Sequence, residues 1–409
     1  MISSFSAKPV MKEVSRMKMY TRCLTLALLF CGMLPFGSCS AKAAKIDVKL
    51  YCLNIGKADC MILCCADKVY LIDAGYAHTY PALETALAAL KIDHLNGVFL
   101  THCHEDHMGG MMPLAESNIA IDHFYAASIY HDVKEKKHPM IRAAKKRNME
   151  VEWLSSGNSV PIADGYSFLI LGPLQTNEEN ENNNSLVIRF SSPHGSILFA
   201  GDMKDEEENE LLYHNHLQPC DVLKVGHHGD DGATSKAFLS TVQPKCAVIT
   251  THSRQEPDTP APQVLFRLSN VGCDTYITQN AQDAYCITLR NGSVSVQDIA
   301  WPHIPKRTEN IGLTADTEKN TLTLTNKNSH TIHLTGCTLY LAEKDEVVSL
   351  KDLSLDAGAS FILGGKKAGN DVHLKLDIKK IMDDKKLDVA ILNDQYGRIL
   401  AICNNGQDE

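Results

Sequence analysis

The stretch Thr101-His102-Cys103-His104-Glu105-Asp106-His107-Met108-Gly109-Gly110 follows directly on the apolar run Val98-Phe99-Leu100. In an extended backbone alternate side chains share a face, so His102 and His104 can converge on one metal ion. Asp106 and His107 are neighbours in sequence. Both can serve a second ion beside the first only if the chain leaves the extended path there and turns into a helix. Gly109 and Gly110 carry no Cβ and let the backbone pass close to its surroundings. Imidazole and carboxylate are common ligands of divalent metals, and four of them within six positions point to a metal site rather than to a polar loop that merely follows a buried strand.

Outward from this stretch, short runs rich in Val, Ile, Leu and Tyr alternate with helical patterns from Ile46 to about Pro302, the rhythm of one α/β unit. Strands are predicted at 49–54, 60–65, 69–72, 97–100, 167–171, 186–190, 196–200, 221–225 and 247–250. Helices are predicted at 81–90, 235–242 and 262–269, with a hairpin around Arg290-Asn291-Gly292. Beyond Pro305 the texture changes to period-2 segments at 321–325, 331–334, 338–342, 372–376 and 389–392, divided by Asn, Gly and Asp turns, with a short helix at 378–383. This pattern predicts an α/β domain over 45–303 and an all-β sandwich over 310–409.

The central stretch matches in full the HxHxDH motif of the metallo-β-lactamase superfamily, which residues 46–300 resemble. The resemblance implies a four-layer αββα sandwich with a metal site at one edge. Ile72-Asp73-Ala74-Gly75 is similar to the family's strand-ending D-x-G. Phe199-Ala200-Gly201-Asp202 is similar to its later apolar-Gly-Asp, in which the Asp bridges two metals. Asp221-Val222-Leu223-Lys224-Val225-Gly226-His227-His228-Gly229, together with Asn183-Asn184-Ser185-Leu186-Val187, resembles the branch represented by the hydrolase domain of the DNA-uptake channel ComEC and by related secreted phosphodiesterases. There are three departures. Gly56-Lys57-Ala58-Asp59 stands for the family's Gly-Gln-Gly-Asp, Asn184-Ser185 stands where many superfamily hydrolases carry a third histidine, and Thr259-Pro260 stands for a His-Pro.

On this resemblance one ion, Zn²⁺ or alternatively Mn²⁺, takes His102, His104 and Asp202. The other takes Asp106, His107, Asp202 and either His227 or His228. His228 is preferred, leaving His227 or Lys224 turned toward the substrate. Asp59 or Asp73 is the carboxylate that holds a ligand histidine by its distal N–H, and Asp73 serves equally well as a strand-end cap. Ser235 opens a helix and offers either a phosphate contact or a plain N-cap. Asp106, Asp202, Lys224 and Ser235 are thus the candidates nearest the chemistry, in which two dications about 3.5–4 Å apart lower the pKa of a shared water. Neither NAD nor a nucleotide cofactor is expected.

Composition bounds the partners. The 409 residues carry 40 basic against 49 acidic side chains, a net charge of −9, so nucleic acid would have to be held locally rather than by bulk charge. The one basic concentration is Lys134, Lys136, Lys137, Arg142, Lys145, Lys146 and Arg147. Lys137, Arg142 and Lys146, with Asn184, are candidate substrate contacts, and a solvated helix face is the alternative.

At the amino terminus five basic residues precede an apolar run at 23–34 and then small residues, the order of a secretory leader over 1–44. Ala41-Lys42-Ala43 fits a soluble secreted product and Phe36-Gly37-Ser38-Cys39 a lipid-anchored one, both at or beyond a bacterial cell surface. Of fourteen cysteines, eleven follow the leader in no repeating spacing, which does not describe a disulfide framework. In the carboxy-terminal part Leu334-Thr335-Gly336, Leu355-Asp356-Ala357-Gly358 and residues 387–397 resemble the lamin-tail domain, an immunoglobulin-like sandwich. The expected function is an exported metal-dependent phosphoester hydrolase, a nuclease or phosphodiesterase acting on extracellular DNA or a smaller diester. The alternatives are a hydrolase of a small wall or lipid phosphodiester such as a choline phosphate ester, and a non-catalytic DNA- or surface-binding protein.

Overall fold

The computed structural model describes residues 47–130, 138–305, 310–383 and 385–406. The leader expected over 1–44, and Lys137, lie outside them. Strands are numbered along the chain. Eight form a first sheet, in the spatial order Ser293–Ile299 (β17), Ala284–Arg290 (β16), Val48–Leu53 (β1), Cys60–Cys65 (β2), Lys68–Ala74 (β3), Gly97–Phe99 (β5), Phe124–Ala127 (β7) and Val151–Leu154 (β8). A second sheet orders Asp274–Ile277 (β15), Cys246–Ile249 (β14), Val222–Lys224 (β13), Gly195–Phe199 (β12), Val187–Ser192 (β11), Tyr166–Gly172 (β10) and Ser159–Ala163 (β9). In both sheets one half is antiparallel and the other parallel, the parallel half running from β3 in the first and from β12 in the second.

Period-2 alternation explains the layering. On β1, Leu50 and Cys52 face the second sheet while Tyr51 and Leu53 face helices. On β12, Ile197 and Phe199 face inward and Leu198 outward. Leu83, Ala86 and Leu87 of helix Tyr80–Ala89, with Met140 and Ala143 of helix Pro139–Lys146, cover the outer face of the first sheet. Helices Lys236–Val242 and Pro262–Asn270 cover that of the second through Phe238, Leu239, Val264 and Leu268. The result is a four-layer αββα sandwich, as the resemblance implies. No described helix is long and apolar enough to cross a membrane, and the eleven described cysteines are unpaired.

The carboxy-terminal region consists of strand sheets, mainly antiparallel. Besides the two-stranded pair Ile332–His333 and Ser354–Leu355 there are two four-stranded sheets, of which one is Ile311–Asp316, Thr321–Asn326, Ser360–Gly364 and Leu374–Lys375. The other is Glu346–Leu350, Cys337–Leu341, Val389–Asn393 and Ile399–Asn404. Leu322, Leu324, Leu339, Leu363 and Leu392 fill the space between them. The helix expected at 378–383 is absent there. The Asn320 side chain takes the place of helical bonding, donating to Lys379 O at 2.9 Å and accepting from Ile381 N at 2.7 Å, so Ile381 and Met382 plug the core in an irregular path.

This region and the α/β layers form one compact unit. Tyr340 lies face to face with His78 at 3.6 Å between ring centroids. Gly397 meets the start of helix Tyr80–Ala89 so closely that a Cβ there would fall 2.3 Å from Ala82 N.

Gly110 sets the position of the motif helix in the same manner. A Cβ on it would stand 2.2 Å from Ala74 O, in the backbone one residue past Asp73. Gly110→Ala must therefore part the helix carrying Asp106 and His107 from the strand end carrying Asp73. The expected cost is about 1–3 kcal/mol of stability in urea unfolding, with reduced metal content in the folded fraction.

Candidate metal centre

All the motif segments end at one edge of the sandwich. After β5 the chain stays extended through His104 (φ −89°, ψ 150°) and only then enters the short helix Glu105–Met108. His102 and His104 therefore face each other, Nε2 to Nδ1 at 3.0 Å, and Asp106 and His107 turn in from the helix. Asp202 comes from the turn after β12, where Gly201 sits at φ 55° and Asp202 N donates to Ser185 Oγ at 2.9 Å.

The residues after β13 make the least obvious turn. His227 and His228 are both left-handed, at φ 43° and 53°, a conformation that costs a non-glycine residue on the order of 1 kcal/mol. It sends the two rings apart. His228 is fully buried, with Nε2 3.2 Å from both Asp106 Oδ2 and Asp202 Oδ2. His227 faces outward between Asn182, whose Nδ2 donates to His227 Nε2 at 3.1 Å, and Asp230.

His107 Nε2 is also 3.2 Å from Asp202 Oδ2, and His102 Nε2 is 3.9 Å from it. One ligand atom each from Asp106, His107, Asp202 and His228 lie within 4.8 Å of one another. His107 Nε2, His228 Nε2 and Asp202 Oδ2 are buried and none has a hydrogen-bond partner. Orphaned lone pairs that converge in this way cost free energy unless a cation satisfies them, so the donor set fits a divalent metal.

The shell behind these groups fixes their orientation. Asp73 Oδ2 accepts from His107 Nδ1 at 2.8 Å and is itself held by Thr101 N and Oγ1 at 2.8 and 2.7 Å. His228 Nδ1 donates to Thr250 O at 2.7 Å. With a cation bound, both rings would keep their proton on Nδ1 and direct Nε2 to it. Without one, burial lowers both histidines, but the surrounding carboxylates, Asp202 foremost, outweigh it and raise His107 well above and His228 above the ordinary value. Asp59 has a different task, since it pairs with Lys224 Nζ at 2.6 Å and accepts from Thr250 Oγ1.

Burial opposes ionisation of Asp202 and Asp106. It is overcome by His107, His228 and Lys224 at the first and by Lys57, His107 and His228 at the second, and both carboxyls are held well below the usual range. Burial also depresses His102 far below an ordinary histidine, which keeps its ring neutral and able to coordinate.

The other sequence candidates lie elsewhere, each for a physical reason. Lys224 is fully buried rather than turned toward a substrate, and its ammonium is consumed by Asp59, Gly201 O at 3.0 Å and Asp202 Oδ1 at 3.5 Å. Ser235 caps its own helix by accepting from Phe238 N at 3.1 Å, and the Glu208 carboxylate already occupies that helix start, taking Thr234 N and Ser235 N. A phosphate would meet a negative charge there. Asn184 spends its amide on Asn177 and Glu181 within its own loop.

Of the basic residues, Lys146 pairs with Glu116 at 3.0 Å, and Arg147 donates to the carbonyls of Leu114, Ala115 and Ser117. Arg142 is exposed and acts electrostatically on Glu105. The residues that sequence reasoning passed over are Thr101, Thr250 and Lys57. Lys57 Nζ lies 2.8 Å from Asp106 Oδ2, and its position in the departed Gly-Gln-Gly-Asp turn was the available signal.

Residues 54–252 match the family model of the metallo-beta-lactamase superfamily, and the domain they form belongs to that superfamily, whose members are typically metal-dependent hydrolases. Among curated proteins the chain is similar to ComE operon protein 3 of Bacillus subtilis (strain 168), 27% identical over 299 residues that make up 67% of this chain and 36% of that protein. It is also similar to Recombination protein 2 of Haemophilus influenzae, 38% identical over 86 residues, 21% of this chain and 11% of that protein. The chain therefore spans well under two thirds of these relatives. Among solved structures it overlaps the metallo-beta-lactamase fold protein YhfI from Bacillus subtilis at 13% identity and a TM-score of 0.38, covering 62% of this chain and all of the other.

Lys224→Met leaves Asp59 buried without its counter-ion, and urea unfolding of the metal-free protein should show a loss of about 3–5 kcal/mol. Glu207 lies against Gly172, and neither of its carboxylate oxygens has a partner. Burial, with help from Glu210 and Glu208, raises its pKa well above the ordinary carboxyl range. Below the unfolded-state value the group is protonated in both states and costs nothing. Above it only the unfolded chain ionises readily, so stability falls as pH rises. Thermal melts of Glu207→Gln should therefore exceed wild type at pH 8 and coincide with it at pH 4.

Proposed function

We propose that this chain is a hydrolase of phosphoester bonds that works with two divalent cations, Zn²⁺ or Mn²⁺, and attacks a phosphodiester with water. The observation that carries the reading is the convergence of three buried, unpartnered atoms, His107 Nε2, His228 Nε2 and Asp202 Oδ2. When bound, a pair of such ions supplies Lewis acidity and a water of near-neutral pKa.

The chain's own residues supply the geometry. His102, His104 and Asp202 would hold one ion, and Asp106, His107, Asp202 and His228 the other, with Asp202 shared. Three protein ligands at the first position leave coordination open for water or substrate, as catalytic sites require. Asp73 and Thr250 keep the rings of His107 and His228 aimed, and Lys224 holds Asp59 and Asp202 in register from behind.

DNA is the substrate class supported by the names of the relatives, a ComE operon protein and a recombination protein. A small phosphodiester is the second reading, favoured by the commitment of Lys146 and Arg147 to protein partners, which leaves no continuous basic track among the described residues. The charge and apolar order of residues 1–44 supports export. Intact mass of the secreted product would test it, and a product retaining the whole leader would refute it. The resemblance to lamin-tail domains supports a holding role for the sandwich, at a surface or on nucleic acid.

Purified protein with Zn²⁺ or Mn²⁺ should cleave linear single- or double-stranded DNA, or bis(p-nitrophenyl) phosphate if the smaller substrate is correct. His104→Ala should reduce turnover to background, and Asp73→Asn should weaken metal affinity by about 10–100-fold. Turnover that survives His104→Ala or prolonged chelation, or none on any diester, would reject the assignment.

A further inference from the structure

Lys57 occupies the turn between β1 and β2, and its backbone is fixed on three sides. Lys57 N donates to Gln255 Oε1 at 2.9 Å, Gly56 sits at φ 90°, and Asp59 N donates to Asp106 O at 3.0 Å. Only its four-carbon stem is free to move. The ammonium reaches Asp106 Oδ2 at 2.8 Å, the same oxygen that lies 3.2 Å from the unpartnered His228 Nε2. One carboxylate oxygen therefore faces both a lysine and the cation pocket. Side-chain exposure falls from 18% at Lys57 to 7% at Asp106 and to none at His107 and His228, which places the ammonium outermost, at the mouth.

We propose that Lys57 is a displaceable counter-ion: it yields Asp106 to the incoming divalent cation and then binds an anionic oxygen of the substrate's phosphate as a substrate-binding residue. The proposal rests on the phosphoester reading. A divalent ion on Asp106 would sit on the order of 4 Å from an ammonium that kept its bond to the same oxygen, and like charges at that range repel. Inward movement is closed by fully buried side chains, so the stem swings outward to where a substrate arrives. A lysine ammonium binds phosphate as a compact point charge. The role belongs to this chain's Gly-Lys-Ala-Asp turn, since the glutamine of the related Gly-Gln-Gly-Asp turn carries no charge.

The test compares the full chain with Lys57→Gln, which keeps the residue of the related turn, and Lys57→Arg, which keeps the charge. Zn²⁺ affinity is read by competition with a chelating indicator, and inorganic phosphate binding to the metal-saturated protein by calorimetry. Loss of one charge-assisted contact corresponds to roughly a tenfold to hundredfold change. Lys57→Gln should bind Zn²⁺ about tenfold or more tighter and phosphate about tenfold or more weaker, while Lys57→Arg should retain phosphate binding. Zn²⁺ affinity that is unchanged or weakened in Lys57→Gln would overturn the proposal by showing a fixed structural ion pair. Phosphate affinity that is unchanged would overturn it by showing that the lysine does not meet the anion. Neither constant depends on turnover, so an inactive wild type would defeat the hydrolase reading while leaving this result readable.

Discussion

Four aspartates, Asp59, Asp73, Asp106 and Asp202, are buried within one small region, and among the described residues Lys224 is the one fully buried lysine there. Removing a carboxylate from water costs several kcal/mol even after the protein relaxes. An accumulation of this kind persists only if positive charge accompanies it. Lys224 meets Asp59 and part of Asp202, and His107 meets Asp73. What remains is Asp202 Oδ2, which faces His107 Nε2 and His228 Nε2 with no hydrogen-bond partner, and beside it Asp106, whose Oδ2 pairs with Lys57 at the outer side. The rest of the edge is arranged around that deficit of cations.

The fold meets the demand through strand ends and unusual backbone rather than through any one element. Asp73 closes β3 at φ 57°, Gly201 turns at φ 55° after β12, and His227 and His228 follow β13 in consecutive left-handed conformations. Each of these positions is sparsely populated for ordinary chain. Their concentration at one edge is consistent with strain held in place by the two packed sheets beneath, whose inner faces are filled by Phe99, Phe168, Phe190 and Phe199.

How much of this could be read beforehand depended on how local the signal was. The three histidines and the one aspartate of 102–107 were legible because their spacing alone brings them together. The choice between His227 and His228 was not, since it depends on two successive positive φ angles that no propensity forecasts. Ser235 and Asn184 carry the right chemistry for a ligand, but nearby backbone and the Glu208 carboxylate use that chemistry first.

Strands β7 and β8 escaped notice because Phe124–Ala127 ends in two alanines and Val151–Leu154 is only four residues long. Both are parallel strands, whose pairing partners are remote in sequence. The segment 378–383 looks helical by composition, yet one asparagine from the turn before strand Thr321–Asn326 decides its path.

The stacking of Tyr340 on His78 has a structural corollary. His78 lies five residues beyond Asp73, and Gly397 abuts Pro81 and Ala82 in the same segment. The tail is therefore not an interchangeable passenger. Exchanging it for another module would bare an imidazole face and a stretch of main chain that are now covered, only a few residues from the carboxylate that steers His107. A replacement of the carboxy-terminal region would also have to refit this seam around His78, Pro81 and Ala82.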